Sequence, residues 1–171
     1  MKKLSAGLIV YRQACNGIEV LIAHMGSPWW AKKDAGAWSI PKGEYQEGED
    51  PKANAEREFK EELGEDAPQG ERLELGTIEQ KNNKTVIAWA VKGDLDISHT
   101  TSNKITIEWP PRSGRMQEFP EIDRVAYFPL DVAAQKLVPA QVELLERLGR
   151  KLGTGMRRPE EPVKPSQPSL F

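Results

Sequence analysis

Cysteine is almost missing from this chain. Cys15 is the only one in 171 residues, so no internal disulfide can form. Beside Asn16-Gly17 it reads as a structural turn residue, and the setting it implies is reducing and cytoplasmic. Long hydrophobic runs are missing too. None approaches the roughly 20 residues of a membrane-spanning helix. The opening Met1-Lys2-Lys3-Leu4-Ser5-Ala6-Gly7 imitates the charged start of a signal peptide. The apolar stretch behind it is soon broken by Tyr11 and Arg12 and reads as a strand. Nor is there an excess of charge of one sign. The 24 basic and 26 acidic side chains leave a net charge of −2. No global field therefore draws the chain onto DNA or an anionic membrane, and an anionic ligand must be held by a local site. Histidine is scarce: His24 and His99 stand alone, without ligand spacing. There is no Gly-x4-Gly-Lys-Ser/Thr phosphate loop, no zinc spacing, no nucleophile elbow and no internal repeat.

The residues that are present outline an α/β domain. Ala6 to Arg12 and Ile18 to Met25 are β-rich, and Asn16-Gly17 between them suits a tight hairpin. Gly26 to Gly36 is a loop carrying Trp29, Trp30, Lys32 and Lys33. Trp38 to Pro41 reads as a short strand ending at Lys42-Gly43. A helix follows, with Asp50 as N-cap, Pro51 at its first position, a body from Lys52 to Leu63 and Gly64 as a left-handed stop. Leu73 to Gln80, Thr85 to Val91, Lys104 to Trp109 and Arg124 to Phe128 read as strands. Gln141 to Leu152 reads as an amphipathic helix. Arg112-Ser113-Gly114-Arg115 is a basic loop, a turn or a substrate lid. From Gly153 the composition turns polar, with Pro159, Pro162, Pro165 and Pro168. The expected division is a domain over 1–152 and a flexible tail over 153–171.

The chemistry concentrates between Gly43 and Gly64. Glu58, Glu61 and Glu62 stand at i, i+3 and i+4 of the helix, so their carboxylates share one face and repel one another. A hard divalent cation with oxygen ligands would offset that repulsion. The bland alternative is a solvated acidic face. Phe59 and Leu63 point elsewhere and anchor the helix. An Arg57–Glu49 fork would tie the preceding loop to the helix. Gly43 and Gly48 let backbone approach a metal or phosphate.

This segment resembles the Nudix box. Gly43, five residues, Glu49, seven residues, then Arg57-Glu58-Phe59, Lys60, Glu61-Glu62, Leu63 and Gly64 meet the pattern, except that Glu65 stands where an aliphatic residue is usual. Trp38-Ser39-Ile40-Pro41-Lys42-Gly43-Glu44 is similar to the strand leading into the box in diadenosine polyphosphate hydrolases. Glu121-Ile122-Asp123-Arg124-Val125-Ala126-Tyr127-Phe128 resembles the acidic segment before a late strand of the family. The resemblance implies an α/β/α sandwich around a mixed sheet, and Mg²⁺- or Mn²⁺-dependent hydrolysis of a phosphoanhydride bond. The implied substrate is a dinucleoside polyphosphate or a nucleoside triphosphate. A nucleotide sugar, a noncanonical triphosphate, or a non-catalytic nucleotide-binding module are the alternatives. It implies metal ligation by Glu58, Glu61, Glu62 and the Lys42 carbonyl, with Glu58 also a candidate base. Arg57 and Glu49 become an orienting ion pair. Glu121, with Glu118 as competitor, becomes the carboxylate from outside the box. Phosphate candidates are Lys42, Arg12, Lys32 and Lys33. Base-stacking candidates are Trp38, Tyr127, Trp29, Trp30, Trp89 and Trp109. The partner expected is a small nucleotide, with no DNA or membrane; the oligomeric state is open.

Overall fold

Strand β1 (Lys3–Ala14) organises the molecule. A computed structural model describes residues 1–155. Of the tail expected over 153–171, residues 156–171 lie outside the described residues. After β1 come β2 (Gly17–Met25), β3 (Trp38–Ser39), β4 (Lys42–Tyr45) and helix α1 (Pro51–Leu63). Strands β5 (Leu73–Gln80), β6 (Lys84–Lys92), β7 (Lys104–Glu108), β8 (Met116–Pro120) and β9 (Ile122–Pro129) follow. Helix α2 (Leu130–Lys136), a 3-10 turn (Pro139–Gln141) and α3 (Val142–Lys151) close the described chain.

One edge of β1 pairs in parallel with β6 from Lys3 to Tyr11. The other edge is divided. Its second half, Tyr11 to Ala14, pairs antiparallel with β2, and its first half, Leu4 to Gly7, pairs antiparallel with β4. Between them the Leu8 N–H donates to the Pro41 carbonyl at 3.1 Å. The sheet therefore splays where β2 hands over to β4, and β4 leads straight into α1. Seven strands form this mixed sheet, with β9 along β2 and β5 along β6; β7 and β8 form a separate hairpin.

Alternation along β1 and β2 buries both faces. Ala6, Leu8, Val10 and Leu21 meet Ala55, Phe59 and Leu63 of α1. Ile9, Tyr11, Val20 and Ile22 meet Leu130 and Ala133 of α2 and Leu144, Leu145 and Leu148 of α3. The result is the expected α/β/α sandwich. Among the described residues no helix is long and apolar enough to cross a membrane.

Four local expectations are corrected. The hairpin turn falls on Cys15-Asn16, since Ala14 pairs with Gly17, whose φ of 124° opens β2. Lys42-Gly43 belongs to a strand rather than ending one. Strand β8, exposed except at Phe119, has only five residues and no extended hydrophobic alternation to announce it. Helix α2 has only seven residues, too few for a periodic stripe.

Candidate active site

Helix α1 is fixed in rotation by its packing side. Asp50 accepts the Lys52 N–H at 3.1 Å as N-cap, and Gly64 closes the helix at φ 74° with its N–H on Lys60. With Ala55, Phe59 and Leu63 under the sheet, Glu58 and Glu62 are carried to the border facing β4. Glu62 is only 7% exposed, and its Oε2 accepts the Lys42 N–H at 3.1 Å. Glu58 lies directly over Gly43: a Cβ on that residue would stand 1.9 Å from Glu58 Cδ. The glycine is thus required by the carboxylate above it. Asn54, also buried, donates from Nδ2 to the Gly43 carbonyl at 3.3 Å and accepts from Arg57, locking strand to helix.

A third carboxylate arrives from the far end of the chain. Glu121 sits between β8 and β9. Its N–H donates to the Asn103 carbonyl at 2.8 Å, and its carbonyl accepts the Gly26 N–H at 2.9 Å. Gly26 allows this approach, because a Cβ there would lie 2.3 Å from the Pro120 carbonyl oxygen. Glu121, Glu62 and Lys42 line a cleft of about 220 Å³, with Met25, Trp30 and Ile105 as its apolar wall.

The cleft disfavours the charge it holds. Burial pushes the Glu62 carboxyl up to about 8; Lys42 and its backbone N–H pull against this, while Glu121 and Glu58 push further. Burial also raises Glu58, reinforced by Glu61 and Glu121 and opposed by Arg57 and Lys42. Burial lowers Lys42, with Lys84 acting the same way against Glu62, Glu121 and Glu44. Lys42 is the cation that lines the cleft with Glu62 and Glu121, while Arg57 sits 3.4 Å from Glu58, and burial outweighs these attractions at Glu58 and Glu62.

Several expected partnerships are redrawn. Glu61 does not join Glu58 and Glu62: it is 43% exposed, and Arg57 holds it at 3.1 Å. Among the described residues no three Asp, Glu, His or Cys side chains stand close enough to enclose an ion. Repulsion along the helix face and the i,i+4 arginine explain why. The Arg57–Glu49 fork is not formed. Arg57 also lies 3.4 Å from Glu58, while Glu49 accepts the Gln46 N–H at 2.6 Å, inside its own loop. Glu118 stays on the outside, 3.9 Å from Lys104.

The substrate candidates divide as well. Arg12 binds Glu19 at 2.9 Å and Asp94 at 2.8 Å and lies 3.7 Å over the Tyr127 ring, whose hydroxyl accepts the Leu95 N–H. Arg12 is five residues along β1 from Gly7, the partner of Lys42, or about 16 Å away. Both Arg12 and Tyr127 therefore belong to the sheet's other end. Trp38 is 3% exposed, donates to Asp34 at 2.9 Å and packs edge-on against His24 and Phe128. Trp89 is core. Lys32 is exposed, and Lys33 lies 5.2 Å over Trp30. His24 has the structural role expected of it: its ring nitrogens are 2.7 Å from Asp123 Oδ1 and from the Lys33 carbonyl, fastening the 26–36 loop. His99 is an exposed loop residue. Trp30, one of the stacking candidates, lines the cleft; Asn54 and Ile105 were not singled out by sequence reasoning for this site. Only Asn54 leaves a signal, as a polar residue on the packing side of α1, four positions before Glu58.

Glu65, the departure from the box, costs the helix exit little. Ala67 takes a buried place in the core, and the Thr101 N–H closes on the Leu63 carbonyl at 3.0 Å.

The family model described as the NUDIX domain matches residues 1–148. The chain belongs to the Nudix family. It is thus a pyrophosphohydrolase by class, and Nudix hydrolases generally use divalent metal ions. Solved Nudix structures share its fold. A Caenorhabditis elegans Ap4A hydrolase binary complex is 23% identical over 88% of this chain and 98% of its own, with a TM-score of 0.60. The NUDIX domain of Shewanella oneidensis NrtR complexed with ADP ribose is 15% identical over 89% of each chain, TM-score 0.59. The MutT protein from Methanosarcina mazei is 18% identical over 88% of this chain and 95% of its own, TM-score 0.57. Comparison with curated proteins returns no match.

Proposed function

We propose that this Nudix hydrolase cuts a phosphoanhydride bond in a dinucleoside polyphosphate, with Mg²⁺ or Mn²⁺ as cofactor. The observation that carries the reading is that Glu62 and Glu121 line one cleft with Lys42, while Glu58 stands over Gly43, the residue next to that lysine.

The donor set fits a hard cation: it is made of carboxylate oxygens, and at Glu62 burial first, with Glu121 and Glu58 adding to it, disfavours the ionised form that a cation would stabilise. Glu58, Glu61, Glu62 and the Lys42 carbonyl would hold the ion, with Glu121 as a further carboxylate; Glu61 must first leave Arg57. Such an ion neutralises phosphate oxygens and makes water easier to deprotonate. Glu58 takes the proton of the attacking water, a task suited to a carboxylate whose affinity for protons burial has raised. The water oxygen bonds to phosphorus, the bridging P–O bond breaks, and the leaving phosphate departs with the bond's electron pair. Lys42 presents its ammonium to the phosphates. Arg57 and Glu49 act at one remove, the first on Glu58 and Glu61, the second on the loop before α1.

A place for a nucleoside adjoins the cleft across Trp30. A pocket of about 580 Å³ is bordered by Lys3, Lys81 and Lys84 and walled by Trp30, Val138 and Pro139. Its size suits a nucleotide, and its lysines suit phosphate. The Ap4A hydrolase among the structural relatives supports the same substrate class.

The test is a substrate panel of dinucleoside polyphosphates, canonical and noncanonical triphosphates and nucleotide sugars, with Mg²⁺, Mn²⁺ or chelator and product chromatography. Metal-dependent cleavage led by a dinucleoside polyphosphate is expected. A clear preference for another member replaces the substrate, and absence of hydrolysis throughout leaves a nucleotide-binding module in place of the enzyme.

A further inference from the structure

The β7–β8 hairpin has one face turned to the cleft. Ile105 pairs with Phe119 and Ile107 with Gln117. The same register sets Trp109 opposite Arg115, and the Trp109 N–H donates to the Arg115 carbonyl at 2.9 Å. Directly opposed residues share a face. That face carries the hairpin's half-buried side chains, Ile105, Ile107, Trp109 and Phe119, and Ile105 lines the catalytic cleft. The other face, with Thr106, Glu108, Met116 and Glu118, is exposed.

At the outer end Trp109 meets Trp29 of the 26–36 loop edge-on, with ring centroids 4.8 Å apart, and Trp29 is 51% exposed. The tip beyond is tied down. Gln117 Nε2 donates to the Trp109 carbonyl at 2.7 Å, and the Gly114 N–H donates to Glu108 at 3.0 Å. Arg112 is held at φ 62°, a costly conformation for a residue with a side chain. Among the described residues neither Arg112 nor Arg115 is paired with a carboxylate. An aromatic pair, one ring exposed and one half-buried, beside an uncommitted guanidinium on a pinned turn matches what a nucleoside phosphate needs: a stacking surface and a cation. Trp109 is four strand steps from Ile105, or about 13 Å, comparable with an extended polyphosphate bridge.

We propose that this hairpin is a substrate arm: Trp109 and Trp29 stack the distal base of a dinucleoside polyphosphate, and Arg115 binds the phosphate next to it. The inference rests on the dinucleoside reading above and adds the residues that would select a second nucleoside.

The experiment compares kcat/KM for a dinucleoside tetraphosphate with that for the matching nucleoside triphosphate, which lacks the distal nucleoside. Trp109→Ala, Trp29→Ala and Arg115→Gln are each measured in the full chain, with Met116→Ala on the hairpin's outer face as control. The ratio should fall roughly fivefold to a hundredfold in the two tryptophan variants, the range of a lost base stack, and mainly through KM. Arg115→Gln should lower it less, and Met116→Ala should leave it at the wild-type value. A ratio unchanged in Trp109→Ala and Trp29→Ala, or lowered equally by Met116→Ala, overturns the proposal. If the wild type hydrolyses neither compound, the catalytic reading fails separately. The arm is then decided by tryptophan-fluorescence titration with non-hydrolysable analogues: equal affinity for the mono- and dinucleoside forms overturns it, and tighter dinucleoside binding that Trp109→Ala removes upholds it.

Discussion

Two charged clusters lie on the α1 side of the sheet, one at each end, and they differ in a single respect. At the far end Arg12 meets Glu19, Asp94 and the Tyr127 ring, so both carboxylates are in direct contact with the one guanidinium. Burial works against the guanidinium there, but Asp94 and Glu19 more than compensate and hold it protonated. At the near end Glu62 and Glu121 share a cleft with one lysine and no direct ion pair between them is formed among the described residues, and burial drives Glu62 and Lys42 toward their neutral forms. A closed set of charges is architecture. An open one is held in place against its own repulsion and is completed by a ligand.

The sharpest way to break this contrast is Glu58→Gln, which should reduce turnover at least about a hundredfold while the protein stays folded by thermal melting and circular dichroism. Gly43→Ala should act almost as strongly on activity and weakly on stability. The added Cβ meets the far end of the Glu58 side chain, which swings aside and takes the carboxylate with it. Near-normal turnover in that variant would separate Glu58 from the reaction.

Glu62 predicts a pH dependence of stability. Its folded pKa of about 8 stands above the ordinary 4.5, so folding favours the protonated form. Its contribution is therefore best below about pH 4.5 and is lost as pH rises to about 8. Metal-free Glu62→Gln should lack this slope and be more stable than the wild type in chemical denaturation at pH 8.5. A parallel pair of stability–pH curves would contradict the assignment. The smallest effect belongs to the other end. Arg12→Ala should lose about 1 kcal/mol of stability, because its ion pairs are partly exposed, with kcat and KM within about twofold of the wild type.

The sequence made the near end legible because its signals are local. Asp50, Pro51 and Gly64 mark the ends of α1, and the i, i+3, i+4 spacing of Glu58, Glu61 and Glu62 marks its acidic face. Pairing choices were not legible, since they depend on which groups the fold brings together. Arg57 had Glu49, Glu58 and Glu61 in reach along the chain, and only the backbone course of the 46–49 loop decides between them. Arg12 looked like a free phosphate ligand because Asp94, its partner, is 82 residues away in sequence. Trp38 looked like a stacking surface until β2 and β9 enclosed it. The division of one β1 edge between β2 and β4, which opens the site, leaves no periodic trace in the residues of either strand.

The most direct test is a calorimetric titration of Mn²⁺ into the metal-free chain near pH 7, repeated in two buffers of different ionisation enthalpy. Binding should release close to one proton per chain in the wild type, because Glu62 holds its proton up to about 8. Glu62→Gln should bind more weakly and release none. No Mn²⁺ binding by the wild type, or equal affinity and equal proton release in the two proteins, would contradict the claim that these carboxylates are assembled for a cation.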